Sequence, residues 1–164
     1  MNWINQYVDL SGEDIEALIK KFTLSTAEVE DIFYKGKDVR GVIVGQIESI
    51  ENHPNSKKLH LLKVNTGKEV LDVVCGAPDV EIGKKVAFAP AGSRVCAGEI
   101  TEATVAGYKS FGMCCGADEL GLSDDHKGLM AIDDDAPLGA DIKELYPIDD
   151  IVFEVDNKSL TNRP

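Results

Sequence analysis

The apolar positions change their spacing along the chain. Ile15, Leu18, Ile19 and Phe22 recur at helical intervals and predict a helix over residues 9–23 with one apolar stripe. Ser11, three residues before Asp14, resembles a capping box with a shortened acid, and Glu13, Asp14 and Glu16 suit the positive start of a helix. Lys20 and Lys21 suit its negative end. From Val39 the period becomes two. Residues 42–51 place Ile43, Gly45, Ile47 and Ser49 on one face and Val42, Val44, Gln46 and Glu48 on the other. Gly45 inside this run predicts a bend or bulge that lets a sheet curl. Runs at 59–65 and 70–75, joined by Thr66-Gly67-Lys68-Glu69, predict a hairpin. Val86 and Phe88 mark a fourth strand ending at Pro90, and residues 100–105 a fifth, followed by Gly107.

Five short strands punctuated by Gly and Pro, with no long helix among them, predict a mainly β chain built on a small OB-fold barrel. Beyond the barrel, the pattern predicts a helical turn at 117–120 ended by Gly121, a loop at 124–128 and an edge segment at 129–132. A short helical piece begins at 137 and stops before Pro147, and residues 151–155 read as a strand. Nothing at Asn162-Arg163-Pro164 signals a stop, so the chain reads as cut from something longer.

Length and charge narrow the function. At 164 residues the chain can bury a core of its own, and no run approaches the roughly 20 apolar residues of a membrane helix. Trp3, Ile4 and their neighbours lack both the basic head and the apolar region of a secretory signal, so the expected compartment is cytoplasmic, with no membrane contact. The net charge of −12 repels phosphate, but it is uneven: residues 39–98 hold eight Lys and Arg against six Asp and Glu. Any nucleic-acid contact is therefore expected there, through Lys57, Lys58, Lys63, Lys84, Lys85 and Arg94. Phe88 is the sole aromatic of that stretch and sits at a core-like position, while Tyr108 and Phe111 come later. Shape and backbone contact are thus expected to outweigh base reading.

Catalytic patterns are missing. No G-x-S-x-G, H-E-x-x-H, Walker A or dinucleotide fingerprint occurs. Cys75, Cys96, Cys114 and Cys115 form no C-x-x-C pair and are expected as reduced, mostly buried thiols. The acidic runs Asp124-Asp125 and Asp133-Asp134-Asp135 do not match a calcium loop and read as solvated faces, so no metal site and no catalytic residue is expected.

Three segments taken in order carry a resemblance: His53-Pro54-Asn55-Ser56-Lys57-Lys58-Leu59, Val74-Cys75-Gly76-Ala77-Pro78-Asp79-Val80 and Lys109-Ser110-Phe111-Gly112-Met113-Cys114. Together they resemble the tRNA-binding OB domain of aminoacyl-tRNA synthetases. Glu119-Leu120-Gly121-Leu122-Ser123-Asp124-Asp125-His126-Lys127-Gly128-Leu129, Asp133-Asp134-Asp135-Ala136-Pro137-Leu138-Gly139, Thr161-Asn162-Arg163-Pro164 and the start Trp3-Ile4-Asn5-Gln6-Tyr7-Val8-Asp9-Leu10 extend it over the whole chain. In that extent the chain is similar to the N-terminal part of the bacterial phenylalanyl-tRNA synthetase β-subunit family.

That resemblance implies an OB-fold inserted into a small α/β domain, with residues 1–38 as its first part, 39–149 as the tRNA-binding barrel and 150–164 as the start of its second part. It also implies a β chain that pairs with a phenylalanyl-tRNA synthetase α subunit in an (αβ)2 heterotetramer and acts on tRNA(Phe), not DNA. ATP and magnesium serve the full enzyme elsewhere, so this fragment is expected to be non-catalytic and free of cofactors. By the same resemblance, His53, Asn55, Lys57 and Lys58, with Ser110, Gly112 and Met113, lie near the tRNA-contacting face. Phe111 and Cys114 depart from the acidic and leucine residues more usual there. Two other readings stay open at this point: a scaffold module of the same ligase with little RNA contact, and a thiol or metal enzyme built on Cys114 and Cys115.

Overall fold

A computed structural model describes residues 2–123 and 128–156. Residues 124–127 of the expected loop at 124–128, and the motif at 161–164, lie outside the described residues. Contacts divide the chain into two compact units, one of residues 1–37 with 149–164 and one of residues 38–148.

The first unit holds α1 (Asn2–Asn5), α2 (Ile15–Ser25), β1 (Glu28–Lys35) and, from the end of the chain, an antiparallel partner strand at Asp150–Asp156. Helix α2 starts later than residues 9–23 suggest, because Ser11 is spent elsewhere. Its amide and hydroxyl both donate to Asp9 Oδ1, at 3.0 and 2.6 Å. Asp14 is the N-cap instead, accepting from the Glu16 and Ala17 amides. Lys20 and Lys21 accordingly fall mid-helix. The apolar stripe is used as expected: Ile19 is buried and the Phe22 ring lies 5.8 Å from that of Phe153.

The second unit contains β2 (Ile43–Asn52), β3 (His60–Asn65), β4 (Val70–Cys75), β5 (Lys85–Pro90), β6 (Arg94–Val95), β7 (Gly98–Glu99), β8 (Ala103–Val105), β9 (Tyr108–Ser110), β10 (Gly112–Cys114) and α3 (Ile142–Leu145). The Asp150–Asp156 strand is then β11. A five-stranded antiparallel sheet runs in the order β10-β5-β2-β3-β4. Its two ends meet where the Phe111 amide donates to Asp72 O (2.9 Å) and the Val74 amide to Ser110 Oγ (3.1 Å), giving the nearly closed barrel of an OB-fold. The closing strand is β10, not residues 100–105. Residues 103–105 pair instead with β9 in a separate hairpin, whose turn uses positive φ at Ala106 (50°) and Gly107 (92°), as a two-residue hairpin turn requires.

One irregularity in β2 decides which side chains face outward. Ile43 and Ile47 point to the barrel interior, but a register shift lies between Ile47 and Ser49. This bulge reverses the alternation, so Ile50 packs against the interior cluster while Ser49 and Glu51 face outward. The expected placement of Ser49 beside Ile47 is thereby corrected. Gly45 is required by close approach: a Cβ there would sit 2.7 Å from Val64 Cγ1 and 2.9 Å from Phe88 Cβ.

The core has two layers. Ile47, Leu62, Val64, Val73, Cys75, Val86, Phe88 and Cys114 fill the barrel. Val42, Val44, Ala87, Ala89, Leu120, Ile132, Ile142 and Ile148 form a second cluster outside it. Strand β5 is buried on both faces, Val86 and Phe88 in the barrel cluster and Ala87 and Ala89 in the outer one, and the segment after β10 pairs along its edge, with the Ala87 amide donating to Met130 O and the Ile132 amide to Lys85 O. The turn at 117–120 ends at Gly121 (φ 72°), and α3 starts only at Ile142, capped by Asp141. This wrap covers the outside of β2 and β5. It leaves the outside of β3 and β4 open.

Candidate nucleic-acid interface

The open face is a ladder of outward residues in register. Ser49 pairs with Lys63 and Glu51 with Leu61 across β2 and β3, and Leu61 with Val74 and Lys63 with Asp72 across β3 and β4. These six side chains floor a groove of about 300 Å³, and Tyr108 and Lys109 of β9 form its wall. On the floor, Lys63 Nζ and Asp72 Oδ1 pair at 2.8 Å, both well exposed, and Asp72 raises the Lys63 pKa by hydrogen bond and charge. The Lys63–Asp72 pair cancels on the floor and leaves Glu51 as its uncompensated charge, so positive charge comes from Lys109 on the wall and from the β2–β3 loop.

The loop between β2 and β3 supplies one rim and is folded tightly on itself. The His53 amide donates to Leu59 O, the Ser56 amide to His53 O, and the Lys58 amide to Ser56 Oγ. The His53 ring is buried, and its Nδ1 accepts the Asn55 amide at 3.1 Å, which leaves the ring hydrogen on Nε2. The ring also meets Tyr108 edge to face. Asn55, Lys57 and Lys58 are exposed around this pinned histidine. Lys57, Lys58 and Lys109 have no ion pair or side-chain hydrogen bond among the described residues.

The sequence candidates thus separate. His53, Asn55, Lys57 and Lys58 share the β2–β3 loop, and His53 joins that loop to Tyr108 on the groove wall. Ser110 is buried and joins the seam, its hydroxyl donating to Gly112 O (2.8 Å) while accepting from the Val74 amide, so it anchors the strand that carries Tyr108 and Lys109. Met113 is half-buried against the outer core cluster. Lys84 pairs with Asp79 Oδ2 at 2.8 Å, and Lys85 Nζ donates to Asp134 O and Ala136 O. Arg94 is exposed beside Arg40, next to the start of β2, whereas the rim loop follows its end. Tyr108 and Lys109 were not among the sequence candidates. The signal for them is the Ala106-Gly107 turn, which makes residues 103–110 a hairpin able to reach across a sheet.

Cys75, Cys114 and Cys115 are buried and Cys96 is exposed, and all four are free thiols. Among the described residues no group of three or more His, Cys, Asp or Glu could hold a metal ion, and no helix is long and apolar enough to cross a membrane.

A family model described as "Putative tRNA binding domain" matches residues 42–141. Over 155 residues the chain is 43% identical to the phenylalanine–tRNA ligase beta subunit of Aromatoleum aromaticum, covering 94% of this chain and 19% of that protein. The subunit of the same name from Fusobacterium nucleatum is 36% identical over 166 residues, covering 100% of this chain and 20% of that protein. The chain spans about a fifth of the length of these curated relatives. Among solved structures, a MetRS related protein from Pyrococcus horikoshii aligns at 25% identity with a TM-score of 0.46, covering 62% of this chain and 87% of that chain.

Proposed function

The chain belongs to the tRNA-binding domain family, and from that premise we propose that residues 38–148 hold tRNA along the groove outside β3 and β4. The observation that carries this reading is the meeting of the β2–β3 loop with the β8–β9 hairpin over the one sheet face that the wrap leaves open. An OB-fold takes nucleic acid on this face and between these two loops. Lys57, Lys58 and Lys109 contact phosphates, Asn55 offers hydrogen bonds, and Tyr108 offers a ring for an unpaired base. His53 and Ser110 position the two arms.

The relatives further support a wider setting for the module: the β chain of a phenylalanine–tRNA ligase, acting on tRNA(Phe) with an α subunit in an (αβ)2 assembly in the cytoplasm. ATP and magnesium serve that assembly outside this chain, which assists aminoacylation without performing it. The division of contacts into 1–37 with 149–164, and 38–148, supports reading the barrel as an insert carried by a small α/β unit.

Amide shift mapping tests the placement. Unlabelled tRNA added to the ¹⁵N-labelled chain should perturb Asn55, Lys57, Lys58, Lys63, Tyr108 and Lys109 first. Perturbations centred on Lys84, Lys85 or Arg94, with the groove unmoved, would overturn it.

A further inference from the structure

The seam that closes the barrel carries a pair of thiols for which tRNA binding has no use. Sheet order makes each neighbouring pair antiparallel, so β4 and β10 run parallel where the barrel closes. The Phe111 amide donates to Asp72 O across that seam, and Cys114 and Cys75 each lie three residues further along. Both cysteines are buried in the same cluster inside the barrel, and both line one cavity of about 380 Å³ walled by Gly76, Met113 and Leu129. Cys115, next in the chain, belongs to the other cluster, so the vicinal pair is split between two layers.

We propose that Cys75 and Cys114 are a redox-sensitive pair that hydrogen peroxide converts to a disulfide across the β4–β10 seam. The Cys75 thiolate attacks the peroxide oxygen, forming a sulfenic acid and releasing hydroxide, which takes up a proton to leave as water. The Cys114 sulfur then attacks the Cys75 sulfur. An S–S bond forms, the S–O bond breaks, and the hydroxyl leaves as a second water with the Cys114 proton. Two thiols lose two electrons, and one peroxide gains them. Cys75 suits the first role, because its hydrogen bond from the Cys114 thiol lowers its pKa to about 7 against the opposing effect of burial. Cys114 is raised by the same hydrogen bond and by burial, which suits the partner that stays protonated until the second step. Cys115, raised above the ordinary thiol range chiefly by burial, stays a thiol. This inference is independent of the RNA reading, since the thiols lie inside the barrel and the groove outside it.

Treatment of the intact chain with hydrogen peroxide, in parallel with Cys96→Ser, tests it. Mass spectrometry after alkylation should show a loss of about 2 Da and protection of two thiols. Peptide mapping should join Cys75 to Cys114, and dithiothreitol should restore both. Cys96→Ser alters only the exposed thiol, so it keeps the test clear of folding defects. Survival of all buried thiols, a Cys114–Cys115 bridge, or direct passage of Cys75 to sulfinic acid would overturn the proposal.

Discussion

The ring of His53 stands edge to face against that of Tyr108, with centroids 4.9 Å apart and planes at 72°. The two residues lie 55 positions apart in sequence and on different arms of the groove, so this contact sets the distance between the arms. A pair of this kind contributes about 0.5–1.5 kcal/mol beyond buried area. Urea unfolding of His53→Ala, Tyr108→Ala and the double variant should give a coupling energy in that range. Additive effects would show that the arms are set independently.

Gly45 tests the packing inside the barrel. Its hydrogen faces Val64 and Phe88 so closely that Gly45→Ala forces one of them to move, although the backbone at this position suits alanine. The substitution should destabilise the chain by about 1–3 kcal/mol. Thermal unfolding would measure it, and a neutral result would contradict the packing described.

Asp79 ties the segment after residue 127 to the barrel. It accepts Lys84 Nζ at 2.8 Å and the Leu129 amide at 3.0 and 3.2 Å. Burial raises its pKa, but the Lys84 and Leu129 hydrogen bonds outweigh that and leave it below the ordinary carboxylate value. A depressed native value means that the stabilisation is present above the unfolded carboxyl pKa and is lost as pH falls through the native one. Allowing for a side chain 38% exposed, Asp79→Asn should cost about 1 kcal/mol at neutral pH, with the difference from wild type fading as pH falls below the ordinary carboxyl value. A penalty that stays constant into acid would show that charge plays no part.

Lys85 separates structural lysines from binding ones. Its ammonium donates to Asp134 O at 2.5 Å and to Ala136 O at 2.7 Å, holding the wrap against β5. Lys85→Met should lower stability by about 1–3 kcal/mol in urea and change tRNA affinity by less than about twofold. A large loss of affinity without a loss of stability would place this lysine at the interface instead.

The barrel was legible because its strands alternate cleanly and its turns carry Gly and Pro. Strand β1 was not, since Glu28–Lys35 is exposed almost throughout and shows no apolar period. The closing strand was hidden for another reason. It has only three residues and begins at Gly112, which resembles a turn in sequence but is a close approach to Phe88 and the Ala89 carbonyl in space. At the site, the loop from His53 to Lys58 was visible as a polar insertion between two strands. Tyr108 was not, because its role depends on a hairpin folding back over β4, which no local pattern encodes. Charge alone does not separate Lys84 and Lys85 from Lys57 and Lys58: a lysine bound to a carboxylate or two carbonyls looks the same in sequence as a free one.

Three unpaired lysines, Lys57, Lys58 and Lys109, are proposed to hold tRNA phosphates beside a groove whose floor keeps only the Glu51 charge uncompensated. Titrating tRNA into the folded chain over a series of salt concentrations tests this proposal most directly. The predicted result is weak binding whose log–log salt slope lies near −2 to −3, each contact contributing about −0.7 to −0.9. The slope should collapse when Lys57, Lys58 and Lys109 are changed together to Gln. Absence of binding at low salt by a folded chain, or a slope that survives the triple change, would contradict it.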